Sequence, residues 1–294
     1  MKVKMKKSIL MAVVVLLCSV LARADYLSDR KAALVQVQAG KDAEALAMFV
    51  KMAEGPYTDF QKSDALGQAA WCAWRLKQND RAMELSKRIP LAPASKTMQM
   101  RIMDVARNWN GIVDAFKNED IDSWPEDVVG DAFFLRGIAY YRTGNGKGAE
   151  ADIIKTLEYK PSAYAMHMLG STYASMLKDD GRALETYRRG YKSGGHWSTD
   201  AVWEVLQILL RQNKFDEALA ELNAVDADKD ALKEGDSHWR RGFILSSQGY
   251  ILAKQGKKAE SIAKYREATQ VEGLTPEQKA GYEKTIKELE ADVK

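Results

Sequence analysis

Along most of the chain apolar residues return every three or four positions, with polar residues between them and a small or turn residue at wider intervals. That period marks amphipathic α-helices. No run alternates apolar and polar residues between hairpin-turn residues, as paired strands would. The densest stretch is Phe133-Phe134-Leu135-Arg136-Gly137-Ile138-Ala139-Tyr140, which continues through Gly144, Ala149, Ile153, Thr156 and Pro161. Aromatic, small and turn residues there keep fixed offsets over roughly 34 residues, the length of a helix–turn–helix repeat.

The offsets recur. Ala33, Ala70, Met103, Gly137, Gly170, Leu206 and Gly249 take one position of a first helix, at intervals of 33 to 43 residues. Turn residues follow seven places later in several repeats, at Gly40, Asn110, Gly144, Asn213 and Gly256. A packing residue then opens the second helix: Ala45, Ala82, Ala149, Ala183, Ala218 and Ser261. One turn further along the same face come Phe49, Ser86, Ile153, Tyr187, Leu222 and Tyr265. Two antiparallel helices approach closely only where side chains are small, so Gly or Ala on one helix faces Ala on the other. No single hairpin buries its apolar face, and the core forms when neighbours stack. About seven hairpins fit between Asp25 and Gln270.

Helix starts and stops agree. Pro56, Pro90, Pro93, Pro125, Pro161 and Pro276 sit where helices should begin or end. Thr58-x-x-Gln61 and Ser123-x-x-Glu126 have the form of capping boxes, the second with Pro125 in the first turn. Thr275-Pro276-x-Gln278 opens a last helix with an apolar stripe of Tyr282, Ile286, Leu289 and Val293. Such a helix could dock on a partner, but capping the end of the stack is the better reading, because terminal repeats need a polar outer face.

These offsets resemble the tetratricopeptide repeat (TPR) family, whose pattern runs aromatic, Leu-Gly, Tyr on the first helix, then Ala and an aromatic on the second, then Pro. The best matches are Phe133…Gly137…Tyr140…Ala149…Ile153…Pro161 and Met166…Leu169-Gly170…Tyr173…Ala183…Tyr187. The repeats around Leu206 and Gly249 fit fairly, those around Ala33 and Ala70 more weakly, and that around Met103 poorly. The resemblance implies an all-α fold: an α-solenoid of about seven TPR-like hairpins over residues 25–274, with a C-terminal capping helix over 275–294.

The N-terminus changes the charge balance. Lys2, Lys4, Lys6 and Lys7 precede an apolar run from Ile9 to Leu17, and Ala22-Arg23-Ala24 follows. This reads as a cleavable signal peptide over residues 1–24, too short in its apolar part for a membrane anchor. Leu17 before Cys18 is not the small residue that lipidation requires. Residues 1–24 hold five basic residues and no acidic one, so the remainder carries 39 basic against 41 acidic residues. Nothing in that balance points to nucleic acid or to an anionic membrane surface. Localisation reads as exported, to the periplasm. Cys72 is then the sole cysteine, in the apolar Ala69-Ala70-Trp71-Cys72-Ala73-Trp74, and reads as a small core residue.

The chemistry-bearing motifs resolve into structure. Gly144-Asn145-Gly146-Lys147-Gly148 lacks the preceding strand and the spacing of a phosphate loop and reads as a hairpin turn. Asp226, Asp228 and Asp230 begin like a calcium loop, but Ala231 and Ser237 stand where Gly and Glu belong. His167, His196 and His238 have no second ligand at metal spacing. The pairs His196-Trp197 and His238-Trp239 read as anchors at helix entries. No catalytic residue, cofactor or metal is assigned.

By the resemblance, ligand-facing positions lie on the first helix of each hairpin. Carried over by register, they form a concave groove with Phe134, Tyr141 and Arg142 on one helix, Tyr164 and His167 on the next, Trp203, Gln207 and Arg211 on a third, and Tyr250 on a fourth. Asp131, Ile138, Ser171, Ser175, Asp200, Phe243, Ser246 and Lys254 share those registers. The pattern leaves open, for each aromatic, whether it faces a ligand or the neighbouring hairpin. The Lys and Asn set with which cytosolic chaperone adaptors of this family clamp a carboxylate is absent. The expectation is a non-catalytic scaffold for a protein or peptide partner. Alternatives are a glycan- or small-ligand-binding protein, a hydrolase on a helical superhelix, and a self-assembling structural module.

Overall fold

The structure, a computed structural model, describes residues 25–192, 197–227 and 237–291, without the side chains of residues 197–199 and 237–239. His196, the side chains of Trp197, His238 and Trp239, and Asp228, Asp230 and Val293 therefore lie outside the described residues. The chain divides into two compact units, one ending at Thr143 and the other beginning at Gly144. Among the described residues there is no strand.

The first unit contains α1 (25–38), α2 (Asp42–Glu54), α3 (Asp59–Arg75), α4 (Asn79–Lys87), α5 (Ala92–Val105), α6 (Trp109–Phe116), a 3-10 turn at Ile121–Ser123, and α7 (Glu126–Arg142). The second contains α8 (Gly146–Tyr159), α9 (Ala163–Ser171) with a π-helical turn at Thr172–Leu177, α10 (Asp180–Lys192), α11 (Trp197–Arg211), α12 (Phe215–Ala227), α13 (Ser237–Lys254), α14 (Lys258–Thr269) and α15 (Pro276–Ala291). Within each unit helices pack on their chain neighbours, and first helices also touch one another: α3 on α5, α5 on α7, α9 on α11. This is the all-α, TPR-like hairpin arrangement that the sequence resemblance implies.

One backbone feature sets the register. Gly40, Lys77, Arg107, Gly144, Lys178, Asn213 and Gly256 all have φ between +55° and +88°. A second helix begins two residues after each. At Gly40, Lys77, Arg107, Asn213 and Gly256 the amide donates to the carbonyl three residues back, and the following amide reaches five residues back, as in Gly40→Val37 and Lys41→Gln36. These paired bonds satisfy the last carbonyls of the first helix and reverse the chain. Five residues after the left-handed residue stand Ala45, Ala82, Ile112, Ala149, Ala183, Ala218 and Ser261, and nine after stand Phe49, Ser86, Phe116, Ile153, Tyr187, Leu222 and Tyr265; all are buried.

The third repeat corrects the sequence register. Its turn lies at Arg107, not Asn110, which sits inside α6. The first-helix packing position is accordingly Met100, fully buried, rather than the half-buried Met103. The physical reason lies in Asn108, whose side chain accepts from the Gly111 amide at 3.1 Å and caps α6 one turn earlier than Asn110 suggested. In the fifth repeat the π turn absorbs one extra residue, which moves the left-handed residue to Lys178.

Caps divide similarly. Thr58 and Gln61 form both halves of a capping box, as do Thr275 and Gln278. Ser123 does not: its hydroxyl donates to the Asp120 carbonyl inside the 3-10 turn, and Pro125 takes the N-cap position of α7. The Gly144–Gly148 run is a turn, with Asn145 accepting from Gly148 N at 2.9 Å at the start of α8. On the last helix no side chain is fully buried. Its half-buried Tyr282 meets Tyr265 of α14 with ring centroids 6.2 Å apart.

Candidate binding cleft

In the first unit α3, α5 and α7 lie side by side and line a cleft of about 490 Å³. The heptad-like spacing of Phe60, Asp64, Gly67 and Trp71 puts these residues on one face of α3. From α5 come Ala94, Thr97, Met98 and Arg101, and from α7 Asp127, Val128 and Asp131. At Gly67 a Cβ would stand 3.4 Å from the Met98 methyl, so the absent side chain keeps the floor between α3 and α5 open. The α4–α5 connection closes one end. There Leu91 N donates to Ser63 Oγ at 3.3 Å, which holds the 39 % exposed Leu91 at the rim. Phe60 at the start of α3 is 67 % exposed, the most open of the large apolar side chains among the described residues.

Two electrostatic ties flank the cleft. On one side Arg30 of α1 donates to Asp64 at 2.6 Å, and the Tyr26 hydroxyl donates to the same carboxylate. Burial, reinforced by the Asp64 charge, pushes the Tyr26 hydroxyl well above its ordinary range, so it remains a proton donor. On the other side Arg101 of α5 donates to Asp131 of α7. Between these ties the α3–α5 seam carries no such link and stays apolar, with Trp71, Ala94 and Met98. Cys72 points away from it into the core. Burial raises its thiol, and Asp42 adds to the effect, so the group remains a neutral thiol.

The residues expected on the groove are distributed between the units. In the first, Phe134 and Tyr141 are half-buried on α7, and the exposed Arg142 lays its guanidinium 5.4 Å from the Trp109 ring and 5.8 Å from that of Tyr141. In the second, Tyr164 and Gln207 are half-buried. His167 lies 5.6 Å from the Tyr187 ring; burial lowers its pKa, with Glu204 and Asp200 opposing. Trp203, 40 % exposed, meets Phe243 edge-on at 6.2 Å, bringing α11 and α13 registers together. Arg211 is committed to Asp180 of α10 at 2.7 Å. Tyr250, 39 % exposed, has the Lys254 ammonium 5.4 Å from its ring. Among the described residues no three His, Cys, Asp or Glu side chains are grouped as metal ligands would be.

Phe60, Asp64, Trp71 and Arg101 were not singled out from sequence, yet the signal was present. On α7 the inner-face positions stand six and three residues before Gly137 and one after it. The same offsets from Ala70 select Asp64, Gly67 and Trp71, and from the corrected Met100 they select Ala94, Thr97 and Arg101; all six line the cleft. Counting from Met103 instead yields Thr97, Met100 and Asp104, of which only Thr97 does.

No family model matches the chain, and no curated protein matches it. Solved structures do. A tetratricopeptide repeat protein from Parabacteroides merdae is 16 % identical over 90 % of this chain and 96 % of its own, with a TM-score of 0.47. A monomeric mutant of IFIT1 with Gppp-AAAA is 17 % identical over 82 % of this chain and 53 % of its own, TM-score 0.48. The human IFIT1 dimer with PPP-AAAA is 16 % identical over 89 % and 63 %, TM-score 0.44. At such identities the likeness carries no residue role to this chain, whose TPR-like character rests on its own hairpins.

Proposed function

We propose that this protein is a non-catalytic helical-repeat scaffold that holds a protein or peptide partner on the first-helix faces of its hairpins, in the bacterial envelope after removal of residues 1–24. The observation that carries the reading is the exposure of large aromatics on first helices of both units: Phe60 in the first, Trp203 and Tyr250 in the second. Exposed aromatics backed by packed helices are the residue class that anchors partners. Phe134, Tyr141 and Arg142 in the first unit, and Tyr164, His167, Gln207 and Arg211 in the second, share those faces and complete the proposed contact set. Export rests on the basic start, the apolar run and the Ala22-Arg23-Ala24 motif. No helix among the described residues is long and apolar enough to cross a membrane.

Photo-crosslinking in cells tests the reading. A benzophenone amino acid is placed at Phe60, Trp203 or Tyr250, and at Tyr159 of α8, a second-helix residue of similar exposure. Discrete adducts at the first-helix positions and none at Tyr159 are expected, with loss of the adduct at Phe60 when export is blocked. Adducts only at Tyr159, or none at any site, would overturn it. Fractionation with N-terminal sequencing checks the other half: the mature chain should begin at Asp25.

A further inference from the structure

We propose that the cleft of the first unit takes an extended peptide segment in which a lysine or arginine neighbours aromatic or aliphatic side chains; this deepens the partner-binding reading and rests on it. Length comes first. The cleft crosses three packed first helices, which at about 10 Å apart span roughly 20 Å. An extended chain covers that distance in about six residues. The opening is therefore longer than one side chain, as a strand-like segment requires.

Apolar character comes next. Phe60 stands 67 % exposed at one rim and Leu91 39 % exposed at the same end, with Trp71 and Met98 along the floor. Solvent-exposed aromatic surface of this kind gains most when a partner's apolar side chain covers it. The third argument is charge complementarity. Among the lining residues three carboxylates, Asp64, Asp127 and Asp131, face a single cation, Arg101. Arg101 is consumed by Asp131, and Asp64 is consumed by Arg30 and Tyr26. Asp127 is exposed at the start of α7 and enters none of the ion pairs of the described residues. A cationic side chain of a segment lying across the helices meets this carboxylate on α7 while apolar neighbours cover Phe60 on α3, whereas an anionic one meets net negative charge.

Fluorescence anisotropy on the full chain tests this with three labelled, amide-capped hexapeptides. Each carries one phenylalanine, two leucines and one glycine; the remaining two positions hold two lysines, two glutamates or two serines. The lysine peptide should saturate and bind about tenfold more tightly than the glutamate peptide at 50 mM salt, with the gap shrinking at 500 mM as charges are screened. Asp127→Lys should abolish the preference while keeping serine-peptide binding. Phe60→Ala, at an exposed position that leaves the core intact, should weaken all three about tenfold. Equal binding of the three probes, preference for glutamate, no saturable binding of the lysine peptide, or an Asp127→Lys protein that keeps the preference would each overturn the inference. Crosslinks at first-helix positions together with any of those results would leave the partner-binding reading standing and remove only the peptide chemistry. Lysine-peptide binding without crosslinks in cells would do the reverse.

Discussion

Hairpins α5–α6 and α9–α10 obey the same register after the turn but put the volume of their contact on opposite helices. In α9–α10 the first helix offers Gly170, and the buried Tyr187 ring fills the space so closely that a Cβ at Gly170 would stand 2.6 Å from it. Its hydroxyl lies 3.0 Å from Ser171 Oγ, so the ring is fixed from both ends. In α5–α6 the first helix offers Met100, and Ile112 and Phe116 meet it in one cluster with Ile121, Val129 and Phe133. The lengths differ too: α6 is eight residues, while α9 is prolonged by the π turn. What both keep is the left-handed residue and the buried positions five and nine residues beyond it. The fold thus constrains the summed volume at the seam and the start of the second helix, and tolerates change before the turn.

The strongest way to break the comparison is to make opposite volume errors. Met100→Ala leaves a cavity in the first unit and should cost about 3 kcal/mol, while Met100→Leu should cost about 1 kcal/mol or less. Gly170→Ala overfills the second unit and should cost about 2 kcal/mol, with part recovered by adding Tyr187→Leu. Urea unfolding followed by circular dichroism reads both; a neutral Met100→Ala would mean that the register at Met100 is wrong.

The next variant isolates α5–α6. Buried Arg136 of α7 donates to the carbonyls of Phe116 at 3.0 Å and Glu119 at 3.2 Å, closing the C-terminus of the short α6, and its guanidinium lies 5.6 Å from the Phe133 ring. Arg136→Met should destabilise the first unit by about 2 kcal/mol, because the carbonyls lose a charged donor. Arg136→Lys, a single point donor, should recover only part of that.

Acid should act on α9–α10. Burial lowers the pKa of His167 in the folded state, so the unfolded chain binds the proton more readily. The stabilisation is complete above the unfolded value of about 6.5 and is lost as pH falls through the lower folded value. Between pH 7.5 and 5, His167→Gln should therefore lose less stability than the parent; identical slopes would remove the assignment.

The smallest effects sharpen what the hairpins share. Arg107 and Lys178 hold φ of +57° and +55° with a Cβ present. Replacing either with glycine should stabilise by up to about 1 kcal/mol, since the left-handed conformation is strained for other residues. Thermal melts suffice to see it, and destabilisation in both would mean that their side chains, not their backbones, matter.

Legibility in the sequence followed the same division. Turns at Gly40, Gly144, Asn213 and Gly256 were visible because glycine and asparagine advertise left-handed backbone. Those at Lys77, Arg107 and Lys178 were not, because nothing in those residue types favours that conformation. The slip to Asn110 came from trusting a turn-forming residue over the capping Asn108, and it hid Arg101 from the inner face. Second-helix positions were readable in six of the repeats, since burial demands their residue types, but Ile112 and Phe116 of α6 emerged only once the turn at Arg107 was known. For Trp203 and Arg142 the pattern gave a position on a first helix. The partners, Phe243 for one and Trp109 for the other, came only from the fold.

By itself the sequence determined the helical class, the hairpin period and the buried seam of every second helix except α6, because these depend on local periodicity and on the size of side chains at fixed offsets. Tertiary structure alone decided which first-helix residues converge. Asp64, Arg101 and Asp131 are distant in the chain, and the cleft between them exists only because α3, α5 and α7 pack side by side. It also decided which charges are spent on each other and which carboxylate is left facing outward, since ion pairing depends on a few ångströms that no repeat pattern encodes.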